Sequence, residues 1–137
     1  MDRRDFQELS KVRLKEATAL LKLGLFDGAY YLAGYAVECA LKACIAKGTQ
    51  RYEFPDRKRA ESSHSHSLRD LIRVAGLEEA RRERADQDPD FRRSWEIVES
   101  WSEQSRYSRN IPESAQVLLA AVGDRRHGVI SWINLQW

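Results

Sequence analysis

Cysteine is scarce in this chain of 137 residues, which contains only Cys39 and Cys44. The two lie on one predicted helix at positions roughly 140° apart around its axis, so they cannot bond to each other. Structural zinc sites usually place their cysteines about two to four residues apart on a turn, which this spacing does not match. A disulfide framework and a cysteine-based zinc site are therefore excluded, and we expect two buried, reduced thiols.

An excess of charge of one sign is also missing, because 23 basic and 21 acidic side chains give a formal net charge of only +2. Any nucleic-acid site must then be local rather than a property of the whole surface. Residues 1–16 carry charges throughout and lack the apolar stretch of a secretory signal, so we expect a cytoplasmic protein. The longest apolar run, 29–46, has Glu38 and Lys42 near its middle, which argues against a membrane span.

Strand alternation, hairpin turns and internal repeats are absent, and so are glycine-rich phosphate loops, nucleophile elbows and paired carboxylates. The hydrophobic share of 42% and the charged share of 32% are typical of a folded globular protein. We therefore predict one all-α domain over residues 1–137. Its expected architecture is an up-and-down bundle of four main helices with short extra helices.

Helical periodicity places the first helix at about 5–23, ending at Gly24, with an apolar stripe that includes Val12 and Ala17. The second helix is buried on nearly every side, begins at an Asp27 N-cap and ends at Gly48. On it, Glu38 and Lys42 have the favourable i, i+4 order and form the polar stripe that neighbouring helices should meet.

The remaining element boundaries are predicted from glycine, proline and helix-capping residues. Residues 49–67 lack an apolar period and are predicted to form a long, mobile loop. A short third helix is predicted to end near Gly76, and the next helix is predicted to begin at Asp88–Pro89 and to end in a break at 107–110. A last helix follows, capped by Asn110 and weakened by Gly123 and Gly128. The four tryptophans exceed what so small a core usually hides, so we expect some of them in a dimer interface.

The segment YYLAGYAVECALKACIAKG, residues 30–48, resembles the second helix of HEPN domains, the "higher eukaryotes and prokaryotes nucleotide-binding" family. The family order continues with a turn at His66 before an apolar helix, a tryptophan-rich helix ending in WSEQSRYSRN at 101–110, and a last helix closing on ISWI. The resemblance implies a helical domain that cleaves RNA without metal. It also implies a motif written RNxxxH, two copies of which face each other across a dimer, and a minimal nucleotidyltransferase as the usual partner in toxin–antitoxin-like pairs.

Arg109 and Asn110 occupy the first two positions of that motif, but Ser114 stands where it has histidine. A hydroxyl cannot shuttle a proton near neutral pH as an imidazole can, so the catalytic form of the motif is broken. We therefore predict a binding or regulatory homodimer without cofactor or metal, which binds a nucleotidyltransferase partner and RNA or a nucleotide. The predicted ligand-binding residues are Glu38, Lys42, Arg106, Tyr107, Arg109 and Asn110.

Two alternatives stay open. The first is an active, metal-independent endoribonuclease in which Arg109 or Arg106 holds the phosphate and a loop histidine, His64 or His66, supplies the missing imidazole. The second is a purely structural interaction domain in which the two arginines pair with the buried carboxylate of Glu38. His127 is predicted to lie on an exposed face of the last helix.

Overall fold

The computed structural model describes residues 1–48 and 57–137, with the side chains of 57–59 excepted, and these residues form an all-α structure. The all-α part of the predicted fold class is confirmed. No helix within these ranges is long and apolar enough to cross a membrane. The elements are α1 (Arg3–Lys22), α2 (Phe26–Lys47), α3 (Arg57–Ser62), α4 (Leu68–Val74), α5 (Glu78–Gln87), α6 (Pro89–Glu99), a 3₁₀-helix η1 (Glu103–Tyr107), α7 (Pro112–Gly123) and α8 (Val129–Ile133).

Helix α2 is the centre of the fold, as its composition predicts. It packs against α1, α4, η1, α7 and α8. Small side chains make this close packing possible, because interaxial distances shorten when the contact residues are small. Five fully buried alanines recur along α2 at the spacing of a heptad seam: Ala29, Ala33, Ala36, Ala40 and Ala43.

Helix α1 begins at a capping box in which Asp2 and Asp5 each accept the backbone N–H of the other at 2.9 Å. The side of α1 that packs inward carries Ser10, whose hydroxyl donates a hydrogen bond of 2.8 Å to the Ala36 carbonyl of α2. Val12 was predicted to lie on the buried stripe and is instead 42% exposed. The reason is that small residues, Ser10 and Ala17, occupy the buried positions of α1.

Four predicted helix boundaries agree with the structure. Asp88 caps α6 through hydrogen bonds of 3.1 Å from the N–H groups of residues 90 and 91, with Pro89 in the first turn. Gly48 is the C-cap residue of α2. Gly24 and Gly76 adopt φ values of 75° and 74°, which L-residues with a side chain rarely take, and end α1 and α4.

Two predicted caps are wrong. Helix α2 starts at Phe26 without a side-chain cap, and α7 starts at Pro112 without one. The carboxylate of Asp27 accepts a hydrogen bond from the backbone N–H of Asn110, so each predicted capping residue is used to join the two segments.

The chain also differs from the prediction at two longer segments. Within 49–67, residues 57–62 form helix α3, while 49–56 lie outside the described residues. The predicted last helix is two helices, because the chain turns between Gly123 and Gly128. A Cβ at Gly128 would collide with the backbone of Asp124, so this turn requires glycine.

The tryptophans are mostly hidden within one chain. Trp95, Trp101 and Trp132 are 2%, 3% and 4% exposed. The expectation that tryptophans form a dimer surface is therefore wrong for these three, because their rings are enclosed by the core of one chain. Trp137 is half-buried and packs against the core.

Candidate functional site

The segment 101–110 is positioned by the contact between Trp101 and Gly34 of α2. The indole lies directly on the glycine, where a Cβ would overlap the ring. Tyr31, one turn earlier on α2, has its ring centroid 6.1 Å from that of Trp101 and 6.0 Å from that of Tyr35. Trp101 thus anchors the start of the segment, and the bond from Asn110 to Asp27 holds its end.

Six side chains between these anchors are exposed, and three of them, Arg106, Tyr107 and Arg109, form what we call the arginine–tyrosine surface. The Arg106 guanidinium carbon lies 4.8 Å from the centroid of the Tyr107 ring, and Tyr107 is 75% exposed. The neighbouring Tyr107 and Tyr31 raise the pKa of Arg106. Arg109 is exposed and makes no ion pair or hydrogen bond with any described residue.

The buried carboxylate of Glu38 does not pair with either arginine, which corrects that alternative. Glu38 is 1% exposed. Its Oε2 accepts from Lys42 Nζ at 3.2 Å, and both of its oxygens lie 3.1 Å from His66 Nδ1. The predicted Glu38–Lys42 pair is confirmed, and its partner from a neighbouring segment is a histidine. The reason is that the turn before α4 brings His66 over the polar stripe of α2.

His66 links the core to η1. Its Nε2 lies 3.4 Å from Oε2 of Glu103, the first residue of η1. The cap of α4 is Ser67, so His66 flanks the helix start rather than capping it. We call Glu38, Lys42, His66 and Glu103 the Glu38 cluster. An imidazole held by a buried carboxylate through Nδ1, with Nε2 near the surface, has the arrangement of an oriented acid or base.

The other predicted residues are more dispersed. His64 is exposed, and its ring makes no hydrogen bond with a described residue. Asn110 has a buried Nδ2 without a hydrogen-bond partner within the described part of the chain. The same holds for Trp101 Nε1 and Ser105 Oγ, so three unpartnered polar atoms lie on the segment that carries the arginine–tyrosine surface.

A second cluster joins the α7–α8 turn to the start of α6. His127 was predicted on an exposed helical face and is instead half-buried in the turn, with Nδ1 2.8 Å from Asp88 Oδ2 and Nε2 3.8 Å from Asp90 Oδ2. The hydrogen bond with Asp88 raises the pKa of His127, and in turn lowers the pKa of Asp88. One ligand atom from each of the three residues lies within 4.8 Å of the others, so they are the described residues best placed to hold a metal ion. Their contacts are already explained by helix capping and an ion pair, and sequence periodicity gave no signal for this pairing.

The two cysteines are free and buried, as predicted. Burial raises the pKa of each thiol to about 11. A thiol with such a pKa is a poor nucleophile and metal ligand near neutral pH. Neither cysteine belongs to the candidate site.

Comparison with models of protein families, with curated proteins and with solved structures finds no match to this chain. The arginine–tyrosine surface and the Glu38 cluster are therefore the features from which a function can be inferred.

Proposed function

We propose that this protein is a HEPN-type module that binds single-stranded RNA, without cleaving it, through the arginine–tyrosine surface. The observation that carries the proposal is the pair of exposed arginines, one of them without a partner among the described residues, on either side of an exposed tyrosine. We also propose that the fold is a four-helix bundle, with α1, α2, α6 and α7 as its main helices. The motif with Ser114 in place of histidine supports binding over cleavage.

The chemistry of the surface suits RNA. A guanidinium binds a phosphate through two parallel hydrogen bonds, and its charge does not titrate near neutral pH. An exposed tyrosine ring offers a face on which a base can stack, at about 1–3 kcal/mol per base. Arginine and tyrosine lie close together along 106–109, so one short surface offers contacts both to phosphates and to a base.

The proposal extends to partners. We propose a homodimer, so that two arginine–tyrosine surfaces act on one strand, and a minimal nucleotidyltransferase as the protein partner. The RNA site is tested separately from either partner.

The test is the affinity for a fluorescently labelled single-stranded RNA, measured by anisotropy over a range of salt concentrations. We expect Arg109→Ala to weaken binding about tenfold and to lower the salt slope by about one ion. We also expect Tyr107→Ala to weaken binding with little change in slope. The matched control is Arg93→Ala, since Arg93 is an exposed arginine on α6 without a described partner. Equal affinities for Arg109→Ala and Arg93→Ala would refute the site.

A second candidate function is supported by the Glu38 cluster. His66 is oriented by a buried carboxylate and lies against η1, which also carries Arg106. A metal-independent endoribonuclease needs such an imidazole as acid or base and a cation at the phosphate.

RNA cleavage in EDTA decides between the two functions. The candidate enzyme predicts cleavage by wild type that is lost in His66→Ala and in Arg109→Ala but retained in His64→Ala, with folding checked by circular dichroism. Cleavage with this pattern would support the endoribonuclease and refute the non-cleaving binding module. Binding without cleavage by any form supports the binding module.

A further inference from the structure

A shallow groove of about 400 Å³ runs between α1 and α7. Its lining is mostly apolar or small, with Leu14, Leu21, Leu119, Ala120 and Gly123, and it also includes the polar Thr18 and Gln116 and the carboxylate of Asp124. Val117, on the outer side of α7, is 49% exposed. An apolar surface with small residues at its centre permits another helix pair to approach closely.

The exposed side of α1 next to the groove is basic, and two of its lysines, Lys11 and Lys15, also line a second cavity beside Trp137. Lys11, Lys15 and Lys22 follow one stripe of the helix at i, i+4 and i+11, and all three are exposed. None of them forms an ion pair with a described carboxylate. Lys11 has its ammonium 5.8 Å from the Trp137 ring centroid, while Lys15 and Lys22 have no described partner.

The border along α7 is acidic. Glu113 stands in its first turn and Asp124 at its C-cap, and both are exposed. Glu113 has no ion-pair partner within the described residues. The Asp124 carboxylate accepts hydrogen bonds from the backbone N–H groups of residues 126 and 127, which belong to the same turn.

The two borders match in length and direction. Helices α1 and α7 run antiparallel, because the side chain of Leu14 lies opposite Gly123 while Leu21 and Gln116 line the same groove further along. From Lys11 to Lys22, and from Glu113 to Asp124, the chain advances by the same number of residues, which is about 16.5 Å of helix. The basic border thus extends over the same length as the acidic border beside it.

We propose that this groove face is where two copies of the chain associate, around a two-fold axis parallel to the groove. That axis lays α1 of one protomer antiparallel over α7 of its partner. Lys22 then faces Glu113 of the partner subunit, and Lys11 faces Asp124 of the partner subunit. A two-fold axis across the groove would instead place lysines against lysines, so the charges select the first arrangement.

This inference rests on the homodimer of the proposed function and names its surface, but it does not depend on RNA binding. The test is sedimentation equilibrium of the full chain. We expect a wild-type dimer whose dissociation constant rises more than a hundredfold in Ala120→Glu, which places a carboxylate from each copy in the interface. Ala120 is exposed in the single chain, so the variant should fold, as circular dichroism would show.

Charge reversal tests the axis. We expect Lys22→Glu to raise the dissociation constant about tenfold, and Lys22→Glu combined with Glu113→Lys to restore it. The matched control Arg93→Glu reverses an exposed charge on α6 and should leave the dissociation constant unchanged.

Three outcomes would overturn the inference: a monomeric wild type at about 100 µM, a dimer insensitive to Ala120→Glu, or a charge swap that does not restore association. RNA affinity is measured on the same samples. If Ala120→Glu abolishes the dimer and each chain keeps its affinity for RNA, the dimer surface and the RNA site are distinct. If the intact dimer does not bind RNA, only the proposed function is refuted.

Discussion

Replacing Gly34 with alanine is the most direct test of how the candidate site is built. Gly34 lies in the interior of α2, where the indole of Trp101 covers it, and an added Cβ would occupy the position of the ring. The ring cannot simply swing away, because Trp101 is 3% exposed and enclosed by the core. The backbone of segment 101–110 must therefore move.

Two effects of opposite sign decide the result. Glycine in a helix interior costs about 1 kcal/mol relative to alanine, so the substitution gains that amount from backbone propensity. Inserting a methyl group into a well-packed core typically costs about 1–3 kcal/mol, and a rigid ring in contact places this site at the upper end of that range. We expect Gly34→Ala to lower the free energy of unfolding by about 1–2 kcal/mol.

The assay is urea unfolding followed by circular dichroism, with Gly28→Ala as control. Gly28 also lies on α2, and its added Cβ would meet only the end of the Leu20 side chain at 3.1 Å, which can rotate. Gly28→Ala should therefore be neutral or stabilising by up to about 1 kcal/mol. If Gly34→Ala raised stability as much as Gly28→Ala, the Trp101 contact would not position the segment and the reasoning would be refuted.

Three further predictions concern ionisable groups. The ion pair of His127 and Asp88 raises the pKa of the histidine above its ordinary value of 6.5 and lowers that of the aspartate below its ordinary value of 3.8. The pair therefore stabilises the fold fully between pH 3.8 and 6.5, and this stabilisation is lost as pH rises through the raised pKa of His127 or falls through the lowered pKa of Asp88. His127→Ala should lower stability more at about pH 5.5 than at about pH 8.5 in urea titrations, and equal losses would contradict the pair. Glu38→Gln removes a buried charge from its cluster and should cost about 2–4 kcal/mol by the same assay; a loss below about 0.5 kcal/mol would be contrary evidence. Cys39 and Cys44, with pKa values of about 11, should react with Ellman's reagent at pH 8 far more slowly in the native protein than in urea, and rapid native labelling would show that they are not buried.

Much of the fold follows from local signals in the sequence. The composition of α2 predicts its central place, and its single polar stripe correctly joins Glu38 to Lys42. The Asp88–Pro89 pair and Gly76 act over one helical turn, so their roles can be predicted without knowing the neighbours. Signals of this kind locate helix ends and buried faces.

The candidate site was harder to predict, because its contacts join segments far apart in the chain. Asp27 and Asn110 both have side chains that suit an N-cap, yet they bond across 83 positions. One alternative paired Glu38 with arginine, whereas its partner from another segment is His66, 28 positions away. No local pattern specifies which segment returns to α2, since that depends on the path of the intervening helices.

The alanine seam of α2 has a consequence for how the two longest helices find their alignment. Small residues spaced like a heptad repeat present nearly the same surface after a shift of seven positions, so packing alone discriminates weakly between one register and the next. The bond from Ser10 to the Ala36 carbonyl is directional and buried, so a shift of one or two residues would take that hydroxyl away from its acceptor. This hydrogen bond therefore adds a directional contact to a seam that is otherwise lined by methyl groups, and it opposes the small shifts that apolar packing alone would allow.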